Sequence, residues 1–480
     1  MKKLFALIPI LSFCLTVAFA EERPPVVSSS KPNVILVMTD DQGWGQTGYY
    51  NHPVLKTPNL DKMAEQGLRM DRFYSGASNC SPTRASVMTG RTNDRTGVLT
   101  HGHGLHSQEK TIAQALQAAG YNTAHFGKWH LNYLRGAGAP ILAEDPHGPG
   151  KFGFDYWLSV TNFFDLDPLM SRNGTFEKLK GDSSEVAVAE ALKYIKGQLD
   201  DGKPFFTVIW FGSPHSPFQG LEKDLAHFPD LVEKDRHHYA ELVAMDRSIG
   251  TLRKGLRKMG VADNTIVWFN SDNGGLPEIK VDTVGGLKGN KNTMNEGGIR
   301  VPCVIEWPKG IKPKISSYPA FTADIFPTIA SVVGLPRSSM NAVIDGIDIS
   351  PLFTKDLKKR KQPIPFCHNE RYVIIDNNFK LMVENKGEAR LYDLDKDFTE
   401  SDNVILEHPE QAQRMMAVLD KFSASLVASR AGADYPEGVV LDPGRIRQFW
   451  AEYEPYWPHL ERLAKEKNLK SYVEKHAPKE

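Results

Sequence analysis

Residues 33–41, NVILVMTDD, decide the fold. A continuous apolar run that stops abruptly at two aspartates reads as a strand buried on both faces, as strands of a parallel sheet are. The pattern recurs along the chain. Residues 204–215, PFFTVIWFGSPH, are apolar through Phe211 and end in a turn holding His215. Residues 264–274, NTIVWFNSDNG, are apolar through Phe269 and end in Asp272, Asn273 and Gly274. Residues 121–130, YNTAHFGKWH, form a weaker version that ends in Lys128 and His130.

Helical periods separate these runs. NLDKMAEQGL (59–68), SQEKTIAQALQAAG (107–120), SSEVAVAEALKYIKGQL (183–199) and the stretch 238–259 carry apolar residues at spacings of three and four, several with boundary signals at their ends. Alternating strand and helix predicts a doubly wound α/β domain with a mainly parallel sheet flanked by helices. Ligands bind outside the carboxyl ends of such strands, where every polar cluster named above falls. From about residue 361 the texture changes. RYVIIDNNFKLMVEN and ARLYDLDKD alternate and carry turn signals, which predicts a smaller antiparallel sheet, followed by a helix that starts at Pro409. The last stretch, 445–480, is charged and bears Trp and Tyr, and reads as helix packed on the surface. The expected division is therefore an α/β domain at 33–360 and a C-terminal subdomain at 361–480.

Residues 1–20, MKKLFALIPILSFCLTVAFA, combine a basic start, an apolar run and the small-residue site Ala18-Phe19-Ala20. This is the pattern of a secretory signal peptide, cleaved after about Ala20, with a flexible lead-in over 21–32. A lipid anchor on Cys14 is the alternative, and the bulky Phe13 before it fits poorly. The predicted location is periplasmic or secreted, without a membrane span. Lys+Arg and Asp+Glu both number 58, so no net field points to nucleic acid or a membrane surface. Without Cys14, three cysteines remain: Cys80, Cys303 and Cys367. An odd count in an exported chain flags one thiol kept for something other than a bridge. Whether Cys303 and Cys367 pair stays open.

Asp40, Asp41, Asp272 and Asn273 stand at the tips of two predicted strands. Three carboxylates and an amide make an all-oxygen site for a hard cation, Ca²⁺ or Mg²⁺ rather than Zn²⁺. Either pair alone would read as an ordinary turn. Lys128, His130, His215, Lys291 and Arg84 form a basic, titratable set suited to holding an oxyanion and moving protons. HGHGLH (101–106) suggests zinc, but its spacing in a Gly-rich loop is poor for a closed site. The loop is expected at the pocket mouth, with His103 toward the substrate. The aromatic and acidic stretch 152–167 is expected on the same rim.

The stretch Cys80-Ser81-Pro82-Thr83-Arg84, followed by Thr89-Gly90-Arg91, resembles the signature of type I sulfatases, within the alkaline-phosphatase-like superfamily. Other segments are similar too: the double aspartate with its Gly-rich turn (40–45), TPNLDKMAEQG (57–67), the segment 111–131 with Lys128 and His130, SPHSPF (213–218), NSDNGG (270–275) and LKGNKNTMNEGGIRVP (287–302). The likeness runs from residue 33 to about 405. It departs from the family at Asn290 and Asn292, where glycine often flanks the lysine.

The resemblance implies that Cys80 is oxidised by a formylglycine-generating enzyme to Cα-formylglycine, which explains an unpaired exported cysteine. It implies one cation on Asp40, Asp41, Asp272, Asn273 and residue 80. The hydrated aldehyde is a gem-diol, one hydroxyl of which, coordinated to the metal, attacks the sulfur of a sulfate ester. Lys128, Lys291 and Arg84 offset the sulfate charge, His215 protonates the leaving alcohol with Lys291 assisting, and His130 orients the diol and takes its second proton. That loss expels sulfate and restores the aldehyde. Export and the extra subdomain point to a sulfated carbohydrate as substrate. The rivals are a formylglycine-type phosphodiester or phosphonate hydrolase and a non-catalytic binder of sulfated glycans. A two-zinc phosphatase fits less well, because the strand tip reads Asp272-Asn273 rather than Asp-His.

Overall fold

The computed structural model describes residues 31–368, 371–384, 387–442 and 446–478. The signal-peptide reading and Cys14 lie outside the described residues. Five strands run parallel: β1 (Asn33–Thr39), β2 (Asn122–Lys128), β3 (Tyr156–Val160), β4 (Phe205–Trp210) and β5 (Thr265–Ser271). Their spatial order is β5-β1-β4-β2-β3. Cys303–Glu306 lies antiparallel beside β5 and Leu169–Arg172 antiparallel beside β3, and the outer strands Leu68–Met70, Lys314–Ser316 and Thr175–Lys178 complete a ten-stranded sheet.

The helices that matter for the site are α1 (Pro58–Gln66), α2 (Cys80–Thr89), α3 (Ile112–Ala118), α4 (Ser183–Gln198), α5 (Glu233–Lys258), α6 (Ile325–Val333) and α7 (Pro409–Arg430). Their arrangement follows from the two-residue period of β1. Val34, Leu36 and Met38 pack with α2, α3 and α6 on one face, whereas Ile35 and Val37 pack with α1, α4 and α5 on the other. Both faces of the strand are therefore dry, which is why its sequence is apolar without alternation. The sheet is doubly wound, as predicted.

Register brings the chemistry together. Thr39 pairs with Ser271, Met38 with Trp210, and Gly127 with Trp210, so four strands end at one level. At that edge Lys128 ends β2, and Asp40, Phe211 and Asp272 directly follow β1, β4 and β5. At Gly127 the backbone turns with φ +100°, and a Cβ there would sit 1.9 Å from the Trp210 carbonyl oxygen. Only glycine lets β2 lie this close to β4 while aiming Lys128 at the edge.

Four strands, Ile364–His368, Arg371–Asp376, Phe379–Val383 and Ala389–Asp393, form the antiparallel C-terminal sheet, and α7 packs on it with Pro409 in its first turn. The final stretch is largely helical, as expected, through Leu460–Leu463 and Lys467–His476, but it is buried more deeply than a helix packed on the surface. Gln448–Phe449 pairs in parallel with Leu134–Arg135, and Trp450, Tyr456, Leu463 and Leu469 bury themselves against Leu134, Ala137, Ala139 and Phe163. The physical reason is aromatic content. Trp450 is fully buried, with its Nε1 donating to the Ala137 carbonyl, and the Tyr456 hydroxyl donates to the Pro140 carbonyl. Cys303 and Cys367 are buried, free and in different sheets. No described helix is long and apolar enough to cross a membrane.

Candidate active site

Cys80 opens α2, a helix whose ten residues are all buried. The helix therefore presents its positive N-terminal end, and residue 80 with it, to the carboxyl edge of the sheet. Ligand atoms of Asp40, Cys80 and Asp272 lie within 4.8 Å of one another. Sγ of Cys80 is also 3.3 Å from Nδ1 of His130. His130 reaches this point through a left-handed backbone, φ +56°, its amide donating to the Thr161 carbonyl. Asp41 is left-handed as well, at φ +74°, and its amide donates to the Asp272 carboxylate at 3.1 Å. Strain of this kind gathers at sites whose surroundings over-determine the geometry.

The acids are tied to cations. Lys128 donates to Asp40 at 2.5 Å, Arg84 to Asp272 at 2.8 Å, and Lys291 to Asp41 at 2.7 Å. Asn273 Nδ2 donates to the other Asp41 oxygen at 2.7 Å. Burial opposes ionisation of Asp40, but Lys128 with His215, Arg84 and Lys291 outweighs it and holds that carboxyl far below the usual range. Burial and the Asp40 charge push Asp272 the other way, up to about 8. Two buried oxygens at this point, Asp40 Oδ1 and Asn273 Oδ1, have no hydrogen-bond partner. Orphaned oxygens beside a carboxylate that resists ionisation are what a hard divalent cation would satisfy, so the residues fit such an ion.

A cleft of about 410 Å³ leads to Cys80, and His130, His215, Lys291, Asn79, Asn162, Phe163 and Asn292 line it. Two other expected residues differ in position. Arg84 and Lys128 are fully buried beneath the cleft floor rather than facing it. Arg84 spends its guanidinium on Asp272 and the Lys128 carbonyl, over the Trp210 ring at 5.0 Å. Both cations hold the acids in place; a buried cation without such a partner would be strongly destabilising.

His215 stacks on Phe163 with centroids 4.6 Å apart, and its Nδ1 lies 2.5 Å from the Ser216 carbonyl oxygen. A carbonyl only accepts, so Nδ1 carries the proton and Nε2 is left toward the cleft, 3.8 Å from Asp41. Burial and Lys291 lower its pKa to about 4, so it rests neutral. Lys291, despite burial, is held protonated by Asp41. The departure beside it has a structural reason: Asn292 adopts φ +69°, its amide donating to the Ser78 carbonyl at 2.8 Å. Asparagine tolerates this conformation better than any residue except glycine.

The histidine loop is pinned rather than loose. The Gly102 amide donates to Ser81 Oγ, and His106 meets the Tyr435 hydroxyl at 3.0 Å. His103 does not line the cleft, contrary to expectation, because its ring turns back toward the Gly97 carbonyl at 3.3 Å. His101 lines it instead. From 152–167, Asn162 and Phe163 reach the cleft, while Phe154 and Leu158 are core. Reading the sequence missed Arg135, Gly136, Phe449 and Tyr472, which complete the wall. Two of them, Phe449 and Tyr472, come from the C-terminal stretch.

Comparison with known proteins agrees with this geometry. The family model described as Sulfatase matches residues 32–335. N-acetylgalactosamine-6-sulfatase of Rattus norvegicus is 30% identical over 393 residues, covering 72% of this chain and 68% of the relative. Arylsulfatase A of Homo sapiens is 30% identical over 402 residues, covering 74% and 73%. The crystal structure of Ps i-CgsB in complex with k-i-k-neocarrahexaose superposes with a TM-score of 0.76 at 25% identity, covering 87% of this chain and 95% of that one. The chain belongs to the sulfatase family and is a sulfatase, an enzyme of sulfate-ester hydrolysis.

Proposed function

We propose that this sulfatase removes sulfate from a carbohydrate, acting through Cys80 after its conversion to Cα-formylglycine by a formylglycine-generating enzyme. One divalent cation, Ca²⁺ before Mg²⁺, would sit on Asp40, Asp41, Asp272 and Asn273 beside residue 80. The observation that carries this reading is the meeting of the Cys80 sulfur with Asp40 and Asp272 within 4.8 Å, and with His130 at 3.3 Å. As a plain thiol, Cys80 is a poor nucleophile, since burial raises its pKa.

A hydrated aldehyde at position 80 supplies two hydroxyls on one carbon, one to attack sulfur and one whose deprotonation releases sulfate. The bound cation supplies Lewis-acid withdrawal of charge from the sulfate oxygens. His130 stands at hydrogen-bonding reach of the atom on residue 80, so it orients that atom and takes its proton. Lys291, protonated and lining the cleft, meets the sulfate charge. His215 faces the leaving oxygen through Nε2; a bound anion raises its pKa and lets it carry a proton. Lys128 and Arg84 act one layer down by keeping Asp40 and Asp272 aimed.

A carbohydrate substrate is supported by the hexaose bound to Ps i-CgsB and by a cleft of sugar-binding size with Phe163, Phe449 and Tyr472 in its wall. In this reading residues 33–360 carry the chemistry and the 361–480 part closes one side of the cleft. The leader sequence supports an exported, periplasmic or secreted enzyme.

The test uses protein made with its maturating enzyme. Mass spectrometry of the tryptic peptide containing residue 80 is expected to show the aldehyde, and 4-nitrophenyl sulfate is expected to turn over faster than 4-nitrophenyl phosphate. Faster phosphate turnover, or unmodified cysteine with no sulfate release, overturns the reading. Chelation with EDTA is expected to lower both turnover and Tm, and added Ca²⁺ to restore them; at a hundredfold excess over Kd the ion adds about 2.7 kcal/mol.

A further inference from the structure

Two arginines that the reaction does not use meet at the cleft, one in its wall and one bonded to the wall residue His101. Arg135 lines the cleft. Its guanidinium lies 4.1 Å over the Phe449 ring, and its Nε is buried without a hydrogen-bond partner. Stacking occupies the face of the group and leaves its N–H edge free to donate. Arg447, two residues before Phe449, donates to the His101 carbonyl at 2.8 Å and approaches the His101 ring at 3.4 Å. Among the described residues, neither arginine forms an ion pair with a carboxylate, although many arginines of this chain do, including Arg69, Arg72, Arg91 and Arg95.

The two cations are held side by side by the chain itself. Phe449 pairs with Arg135 where the C-terminal stretch joins Leu134–Arg135, and the Arg135 Cβ lies against Gly102 of the histidine loop. Burial, then both arginines and Lys291, disfavours a charge on His101, and burial followed by Arg135 disfavours the charge on Arg447. Like charges brought together without a counterion are unfavourable alone and favourable once an anion arrives. Arg135 stands in the wall of the cleft that leads to Cys80, and Arg447 is joined to that wall through His101, so the pair is placed to meet another part of the molecule whose sulfate is being cut.

We propose that Arg135 and Arg447 form a second anion subsite, which recognises a further sulfate or carboxylate on the sugar chain next to the sulfate ester under attack. The inference rests on the proposed carbohydrate-sulfatase reading and narrows its substrate class to polyanionic glycans carrying at least two acidic groups. The Tyr472 ring, which also lines the cleft, then flanks the sugar between the two anions, while Phe449 serves to hold Arg135.

The experiment compares three disaccharides that share one scissile sulfate. The first bears no other acid, the second a further sulfate and the third a uronate carboxylate. Wild-type enzyme is expected to show a higher kcat/KM on the second or third than on the first, chiefly through KM. The preferred partner identifies the second anion. In the R135Q/R447Q double variant that preference ratio is expected to fall by about tenfold or more, the usual size for loss of charge-assisted hydrogen bonds. Absence of preference in the wild type, or an equal loss on all three sugars in the variant, overturns the subsite. Titration calorimetry with unconverted, inert Cys80 protein reads the same ratio as relative Kd without turnover. If no sugar is hydrolysed but the calorimetric preference persists and depends on the arginines, the subsite stands while the catalytic reading fails.

Discussion

At Asn292 the site depends on one backbone angle. The residue sits at φ +69° between Lys291, which meets Asp41, and the Ser78 carbonyl that receives its amide. Alanine there costs about 1–2 kcal/mol, whereas glycine relaxes into the same conformation. N292A is expected to lower both Tm and kcat/KM, and N292G to leave Tm close to wild type; equal Tm for the two variants would count against the backbone argument. A second residue-scale consequence concerns pH. Asp165 is 4% exposed, both its carboxylate oxygens lack partners, and burial with Asp182 pushes its pKa up to about 8. The unfolded carboxyl titrates at about 3.9, so between those values the folded protein holds a proton the unfolded chain has released. Stability from this group is therefore lost as pH rises from about 4 to about 8. Tm of D165N is expected to fall less than wild type between pH 5 and pH 8. Parallel Tm profiles would show that Asp165 is not the group responsible.

At the scale of elements, the end of β2 is the most constrained junction. Gly127 must pass the Trp210 carbonyl at a distance no Cβ allows, immediately before Lys128 turns to Asp40. G127A combines a positive φ with a backbone clash, and its cost is expected to exceed about 1 kcal/mol. Thermal unfolding checks the loss of stability. Residual folded protein is expected to turn over sulfate esters more slowly, because Lys128 no longer holds Asp40 in place. The helix α2 is constrained differently. Its burial on every side fixes residue 80, and Ser81 Oγ carries the histidine loop by accepting from Gly102.

Across the whole molecule, the chain closes its own cleft with its last residues. Trp450 anchors this closure in a cluster with Leu134, Ala137 and Phe163, although it lies 313 residues from the Ala137 carbonyl that it bonds. Truncation to alanine at such a site costs about 3–5 kcal/mol. W450A is expected to lower Tm and to raise protease cleavage within 446–478 before it affects the sheet. Uniform cleavage across the chain would instead mean that the C-terminal stretch unfolds only with the sheet.

The parallel sheet, its helices and the identity of the acids at its edge were legible in the sequence, because each is a local matter. NVILVMTDD states that both faces of a strand are dry and that polar groups follow at its tip, and doubly wound sheets gather such tips at one edge. Which cations face the cleft was not local. Arg84 and Lys128 turn beneath the floor because the acids claim them, and His101 rather than His103 reaches the wall because of one carbonyl at Gly97. Nor did residues 446–478 announce their place: a two-residue strand pairing carries no periodic signal, and buried aromatics in a charged stretch show their partners only once the chain has folded back.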